Sequence, residues 1–358
     1  MTYSTKDIPA TGLPACWKSP SNIALIKYWG KLDGQIPANA SLSITLGNAY
    51  TVTRVSASLH DTPSSGPEVE FRFEGEVNLS FSSRINTFLK SITGHFQYLP
   101  DVKLSIESGN SFPHSAGIAS SASGMSALAL CLCAIEAQLQ GNETGTPGFY
   151  EKASSIARIG SGSACRSVYG GITVWGKHSD VPGSSDEYAV PLHFDPHPLF
   201  WGLRDTILIV DPGEKKVSSS VGHGLMKGHP FAASRFAQAA KNLSELLVAL
   251  KSGNWQVFAS LVENEALSLH AMMLASDPWF ILMHPNTLLI INKIEEFRKQ
   301  TGAKVCFTLD AGPNIHLLYP EEEANRVATL IESLKLYCFN EKVIEDSVGE
   351  GPKQLTCR

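Results

Sequence analysis

Phe112-Pro113-His114-Ser115-Ala116-Gly117-Ile118-Ala119-Ser120-Ser121-Ala122-Ser123-Gly124-Met125 passes from residues that resist helix formation into strong helix formers, Met125-Ser126-Ala127-Leu128-Ala129-Leu130. Small side chains and hydroxyls therefore crowd a helix N-terminus, where the first backbone N–H groups have no intrahelical partner. Those groups and the helix dipole attract an anion, and Gly or Ala lets phosphate oxygens reach the backbone. Ser120, Ser121 and Ser123 add hydroxyls suited to phosphate or to a metal ion. The same residues also describe a buried Ala/Ser-rich helix with an ordinary N-cap, and the stretch alone does not choose. No Gly-Lys-Ser/Thr and no G-x-G-x-x-G accompanies it, so it is neither a Walker loop nor a dinucleotide fingerprint.

The 358 residues can bury a sizeable core and suffice for two domains or one large one. Hydrophobic residues at 43% and charged residues at 18% describe a soluble globular protein. A net charge of −5, with basic runs no denser than Lys215-Lys216, argues against a nucleic-acid binder. A small anionic substrate needs only a few local cations. The seven cysteines (16, 131, 133, 165, 306, 338 and 357) show no C-x-x-C spacing, and a reducing cytoplasm is expected. Met1 to Ala10 lacks the cationic flank and apolar core of a signal peptide. Met125–Ile135 is apolar but short of a membrane span, and Glu136 stops it.

Alternation predicts strands over 15–32, at Leu42–Leu46, Val52–Leu59, Val69–Glu74 and Val102–Ile106, with a buried strand at Ile172–Trp175. Ile85, Phe88, Leu89 and Ile92 have helical spacing, and an amphipathic helix is expected over 149–159. Residues 178–187 read as a polar loop, and Phe194-Asp195-Pro196-His197-Pro198 as the boundary between domains 1–195 and 196–358. Beyond it, strands are expected at Thr206–Val210, Lys304–Leu309 and Ile315–Tyr319, with helices over 231–251, 254–273, 286–300 and 321–337. Strands and helices mix without strict alternation, which favours an α+β architecture of two lobes over a doubly wound parallel sheet.

Further motifs narrow the reading. P-x-x-x-G-[LI]-[GA]-S-S-A at Pro113–Ala122 resembles the phosphate loop of the GHMP superfamily. Pro20-Ser21-Asn22-Ile23-Ala24-Leu25-Ile26-Lys27-Tyr28-Trp29-Gly30-Lys31 sets lysines beside a strand that should be buried. Lysine is rarely buried without a partner, so Lys27 calls for an anion; as a lone K-x-x-x-K, the pair would read as surface lysines closing a strand. The whole run resembles the N-I-A-x-I-K-Y-W-G-K signature of the diphosphomevalonate decarboxylase family within that superfamily. Pro37–Ser43 is similar to its P-x-N-S-S-L-S, with a slightly shorter preceding loop and Ala40 in place of a serine. Ser108–Pro113, Arg158–Ser167 (R-x-G-S-G-S-A-C-R-S), Lys216–Gly222, Asp310-Ala311-Gly312-Pro313-Asn314 and Gly349–Pro352 match in the family's order. His223 stands where a methionine is usual.

The resemblance implies a GHMP kinase fold, with an N-terminal ribosomal-protein-S5-like lobe and a ferredoxin-like C-terminal lobe. It implies ATP-dependent decarboxylation of 5-diphosphomevalonate to isopentenyl diphosphate in isoprenoid synthesis, with ATP and Mg2+, in a homodimer. Asp310 would orient and deprotonate the 3-hydroxyl, ionised at its ordinary pKa of about 3.9. Lys27 would keep Asp310 charged or offset charge on the transferring phosphoryl group. Arg166, with Asn22, Ser161 and Ser163, would hold the substrate carboxylate and its neighbouring oxygens. Tyr28, Lys31 and Ser219 would hold the diphosphate. Ser108, Asn110, Pro113, Ser115, Ala116, Gly117, Ala119, Ser120 and Ser121 would hold ATP, Ser121 also serving the metal.

Plainer readings stand beside these. Gly160–Ser167 also describes a tight turn with Arg166 in a surface ion pair, and Asp310 a turn former after a strand. His193 and His197 have a metal-like spacing, but Pro196 and Pro198 break any helix that would align them. Neither H-E-x-x-H nor G-x-S-x-G occurs, and Cys165 reads as packing rather than as a nucleophile. The nearest alternative activity is a kinase or decarboxylase acting on mevalonate or its monophosphate. Members that only phosphorylate should lack the Lys/Asp pair, which is present here. A non-catalytic relative would be expected to lose the loop serines or the aspartate, and both are kept.

Overall fold

The computed structural model of the chain describes residues 8–60, 66–112, 120–213, 217 and 219–357. Leu13–Ile26 (β1) and Ser41–Leu59 (β2) pair antiparallel, with a register shift between Pro20 and Asn22, beside a proline that has no N–H to give. β2 is one 19-residue strand where the alternation read as two patches. It changes partner along its length: Ser41–Ile44 pair with β6 (Ile172–Trp175), whereas Thr51–Leu59 pair with β5 (Val102–Asn110). β3 (Glu68–Phe73) runs parallel to β5 and pairs with the short β4 (Glu76–Val77), while β7 (Ala189–Pro191) joins through β6.

Three helices cover this sheet. α1 (Leu79–Ile92) starts at Asn78, whose side chain accepts the Phe81 N–H at 3.1 Å. α3 (Pro147–Gly160) starts at Thr146 in the same way, with proline at its first position. Each turns an apolar stripe into the core, Ile85, Phe88, Leu89 and Ile92 from α1 and Phe149, Ala153, Ile156 and Ala157 from α3. α2 (Ser120–Gln140) is buried nearly all round between them and the sheet. Its 21 residues correct the reading of a run too short for a membrane: by length and composition α2 qualifies. Its most apolar window is nevertheless 78% buried inside the lobe, and Glu136 pairs with Lys152 of α3 at 2.5 Å.

The second sheet is antiparallel, ordered β11 (Val343–Ser347), β8 (Leu203–Leu208), β10 (Ile315–Pro320), β9 (Cys306–Thr308). The short α4 (Ser219–Gly224) precedes α5 (Ala232–Ser252), α6 (Trp255–Leu274), α7 (Pro285–Thr301) and α8 (Ala324–Lys335). β11 gave no sequence signal because its buried position is the acidic Asp346. That carboxylate accepts the N–H groups of Gly47, Asn48 and Ala49 at 2.7–2.8 Å, tying β11 to β2 across the lobes. The last strand, β12 (Lys353–Gln354), returns to the first sheet beside β1.

The lobes share a core. Ile23, Leu25, Ile26, Leu42 and Ile44 cluster with Ile207, Leu243, Leu246 and Phe258. The continuous apolar run ending β1 is thus covered on both faces, as such runs require. Lys27, one residue beyond it, emerges at the seam between the lobes.

Candidate active site

Lys27 and Asp310 meet there. Lys27 Nζ lies 2.9 Å from Asp310 Oδ1, with the lysine side chain 2% exposed and the aspartate 30%. Asp310 follows β9 and its carbonyl accepts from His270 Nε2 at 3.1 Å, so the turn Asp310–Gly312 is anchored while the carboxylate stays partly open. Burial pulls the Lys27 ammonium below its ordinary range, and the neighbouring Asp310 and Glu265 carboxylates pull it back up.

The lysine's backbone is held as firmly as its side chain. Glu265, fully buried on α6, accepts the Lys27 N–H at 2.8 Å and both terminal nitrogens of Arg235 on α5 at 3.0 and 2.5 Å. Arg235 Nη2 and Asn39 Nδ2 both donate to the Lys27 carbonyl, at 3.2 and 3.0 Å. Sequence reasoning missed this clamp. A signal existed: Glu265 shares the helical spacing of Leu261, Val262 and Leu269, and Arg235 that of Ala239, Asn242 and Leu246. A charge on an apolar stripe implies a buried partner, but not which one.

Arg166 stands in the turn Gly162–Val168, 2% exposed. Its Nε and Nη2 donate to Asn22 Oδ1 at 3.2 Å, and Nη1 to Ser41 Oγ at 2.5 Å. Among the described residues no carboxylate pairs with it, which removes the surface ion pair as a reading. Asn22 in turn donates to the Ser163 carbonyl and to Ser167 Oγ, so Ser163 joins this group through its main chain. Gly162 is required by contact, because a Cβ there would stand 2.7 Å from the Trp175 ring and 3.0 Å from the Tyr28 hydroxyl. Tyr28 packs edge-on against Trp175 at 4.8 Å, and burial pushes its phenol above the ordinary range.

Lys31 is half-buried, pairs with no carboxylate among the described residues, and has its ammonium pulled down by burial to about 8. Arg158, which opens the R-x-G-S-G-S motif, is structural: its guanidinium donates to the carbonyls of Gly34 and Glu187 and secures the loop after Lys31.

The helix N-terminus joins the same region. Ser121 Oγ lies 3.4 Å from Ser161 Oγ, so the 161–166 turn bridges the start of α2 to Asn22 and Tyr28. Ser123 bonds Thr51 at 2.6 Å, serving the interior rather than a ligand. Beside Ser120 and Ser121 lies a cavity walled by Phe71, Phe73, Phe81 and Ile106, with Ser108 and Asn110 at its polar side. Asn110 Oδ1 accepts from Thr51, but its buried Nδ2 has no partner among the described residues. Pro113, Ser115, Ala116, Gly117 and Ala119 lie outside the described residues, as does the Ser219 side chain. His193 and His197 do not converge: His193 packs on Phe194, and His197 Nδ1 accepts the Leu199 N–H. Cys165 is buried, and burial pushes its thiol up to about 12, which suits packing and not attack.

Two α+β lobes joined through a shared apolar cluster, a hydroxyl-rich helix start and a seam of excess positive charge around one aspartate define an enzyme that handles phosphorylated substrates. The chain belongs to the diphosphomevalonate decarboxylase family: the model of the diphosphomevalonate decarboxylase-like N-terminal domain matches residues 19–189, and that of the mevalonate 5-diphosphate decarboxylase C-terminal domain matches 206–355. A diphosphomevalonate decarboxylase of Candida albicans is 30% identical, over 94% of this chain and 97% of its own. The structure of the mevalonate diphosphate decarboxylase of Staphylococcus aureus is 30% identical, with a TM-score of 0.82 over 96% and 98% of the two chains. A complex of MDDEF with MVAPP, AMPPCP and magnesium is 29% identical, with a TM-score of 0.81 over 96% and 99%.

Proposed function

We propose that this chain catalyses ATP-dependent decarboxylation of 5-diphosphomevalonate to isopentenyl diphosphate, releasing CO2, ADP and phosphate. The observation that carries this reading is the Lys27–Asp310 contact, made between residues 283 positions apart beside a buried guanidinium that pairs with no carboxylate among the described residues. Asp310 Oδ takes the proton of the tertiary 3-hydroxyl as its oxygen attacks the γ-phosphorus of ATP. Lys27 keeps that carboxylate ionised and offsets charge on the transferring group. Phosphate then leaves C3 with the C–O electron pair, and the C–CO2 bond electrons form the new double bond. Arg166, backed by Asn22 and Ser41, holds the substrate carboxylate in the meantime. Tyr28 and Lys31 hold the diphosphate.

The aromatic cavity beside Ser120 and Ser121 suits adenine between Phe71, Phe73 and Phe81, and Asn110 Nδ2, which bonds none of the described residues, supplies it a donor. Ser121 would serve Mg2+, which when bound would neutralise charge on the ATP phosphates. A complex bearing MVAPP, an ATP analogue and magnesium in a similar structure supports this ligand set. All seven cysteines are free, which supports a cytoplasmic setting.

ADP and CO2 release measured in parallel on mevalonate, 5-phosphomevalonate and 5-diphosphomevalonate tests the reading. One CO2 per ADP is expected, with the diphosphate alone. ADP without CO2, or turnover of the monophosphate in preference, would replace it with one of the alternative activities.

The pH dependence is a separate test. Lys31 is charged below about 8 and neutral above, so kcat/KM for the diphosphate should fall as pH rises through that value. Lys31→Arg, which does not titrate there, should remove this limb. Its survival in that variant would assign it to another group.

A further inference from the structure

Resting on that reading, we propose that His223 is a substrate-binding residue, donating its Nε2–H to an oxygen of the diphosphate held by Tyr28 and Lys31. His223 lies on α4 and is 5% exposed. Its Nδ1 accepts the backbone N–H of Gly30 at 3.0 Å. A neutral imidazole with an accepting Nδ1 carries its proton on Nε2. Burial, with Lys31 and Arg166 nearby, holds the ring well below the ordinary histidine range, so this neutral tautomer persists at physiological pH.

The ring is fixed on two sides. It stacks on Tyr28 at 4.7 Å with planes 20° apart, and meets Trp29 at 4.5 Å. Gly222 makes the approach possible, since a Cβ there would stand 2.6 Å from the Trp29 ring. The donor that remains, Nε2–H, bonds none of the described residues, yet it is not among the polar atoms sealed from solvent. A buried, orientationally locked ring with one donor left over, in the field of two cations that pair with no carboxylate among the described residues, is built to meet an anion. A neutral donor adds a hydrogen bond there without adding to the repulsion between Lys31 and Arg166.

Two substitutions separate the donor from the clamp. His223→Asn keeps an oxygen near Nδ1 for the Gly30 N–H and loses the Nε2 donor; His223→Gln keeps a donor near Nε2 and loses that acceptor. Calorimetric binding of 5-diphosphomevalonate without ATP, KM, kcat and Tm are measured on both and on the unaltered enzyme. His223→Asn should weaken binding and raise KM about tenfold or more, the usual worth of a hydrogen bond to a charged group, with kcat and Tm little changed. His223→Gln should keep the greater part of the affinity. Unaltered affinity in His223→Asn overturns the proposal. So does a loss that is larger in His223→Gln and tracks Tm, which would make the ring a clamp only. If the unaltered enzyme releases no CO2 from the diphosphate, the functional reading fails instead.

Discussion

Asp310→Asn should lower kcat for both ADP and CO2 release by about a thousandfold, the scale of a positioned general base, with KM for the diphosphate nearly constant. The amide matches the carboxylate in shape, so the turn anchored by His270 and the Gly312 N–H is kept. What disappears is the ability to take a proton. An interaction needed only in the transition state appears in kcat and not in KM. Because phosphorylation precedes loss of CO2, the two products should fall together. ADP release that persists while CO2 release stops would move Asp310 from the first step to the second.

Lys27→Met should cost about 10²- to 10³-fold in kcat, as when one preorganised donor to a developing charge is removed. Stability behaves differently. Lys27 is buried while Asp310 remains 30% exposed, so the variant removes a costly buried ammonium and leaves a carboxylate that water can reach. Tm should hold or rise as activity collapses. A fall of both together would make the lysine a structural ion-pair partner first.

Much of this site was legible because its parts sit in short, unusual strings. The apolar run Ile23–Ile26 followed by a lysine announced a buried cation, and the chain delivers one. The glycine–serine turn ending in Arg166 announced an anion holder, although the plain reading of a surface ion pair was open until the guanidinium proved buried. The Arg235–Glu265 clamp stayed hidden because it is purely tertiary: two helices, each with an ordinary amphipathic pattern, meet through one charge apiece. Asp346 and β11 stayed hidden for the opposite reason, since an acidic residue inside a strand reads as solvent-facing until its three backbone donors are seen. His223 was visible only as a departure from a motif; its partner, the Gly30 N–H, lies on the far lobe.

The central claim is that Lys27 and Asp310 work as one unit in one cavity, and a double-mutant cycle on kcat tests it most directly. Lys27→Met, Asp310→Asn and the combined variant are compared with the unaltered enzyme on 5-diphosphomevalonate. Residues that act together are grossly non-additive, so the combined variant should be about as slow as the worse of the two singles. Losses that multiply, to about 10⁵-fold or beyond in the combined variant, would mean that the two groups serve separate steps.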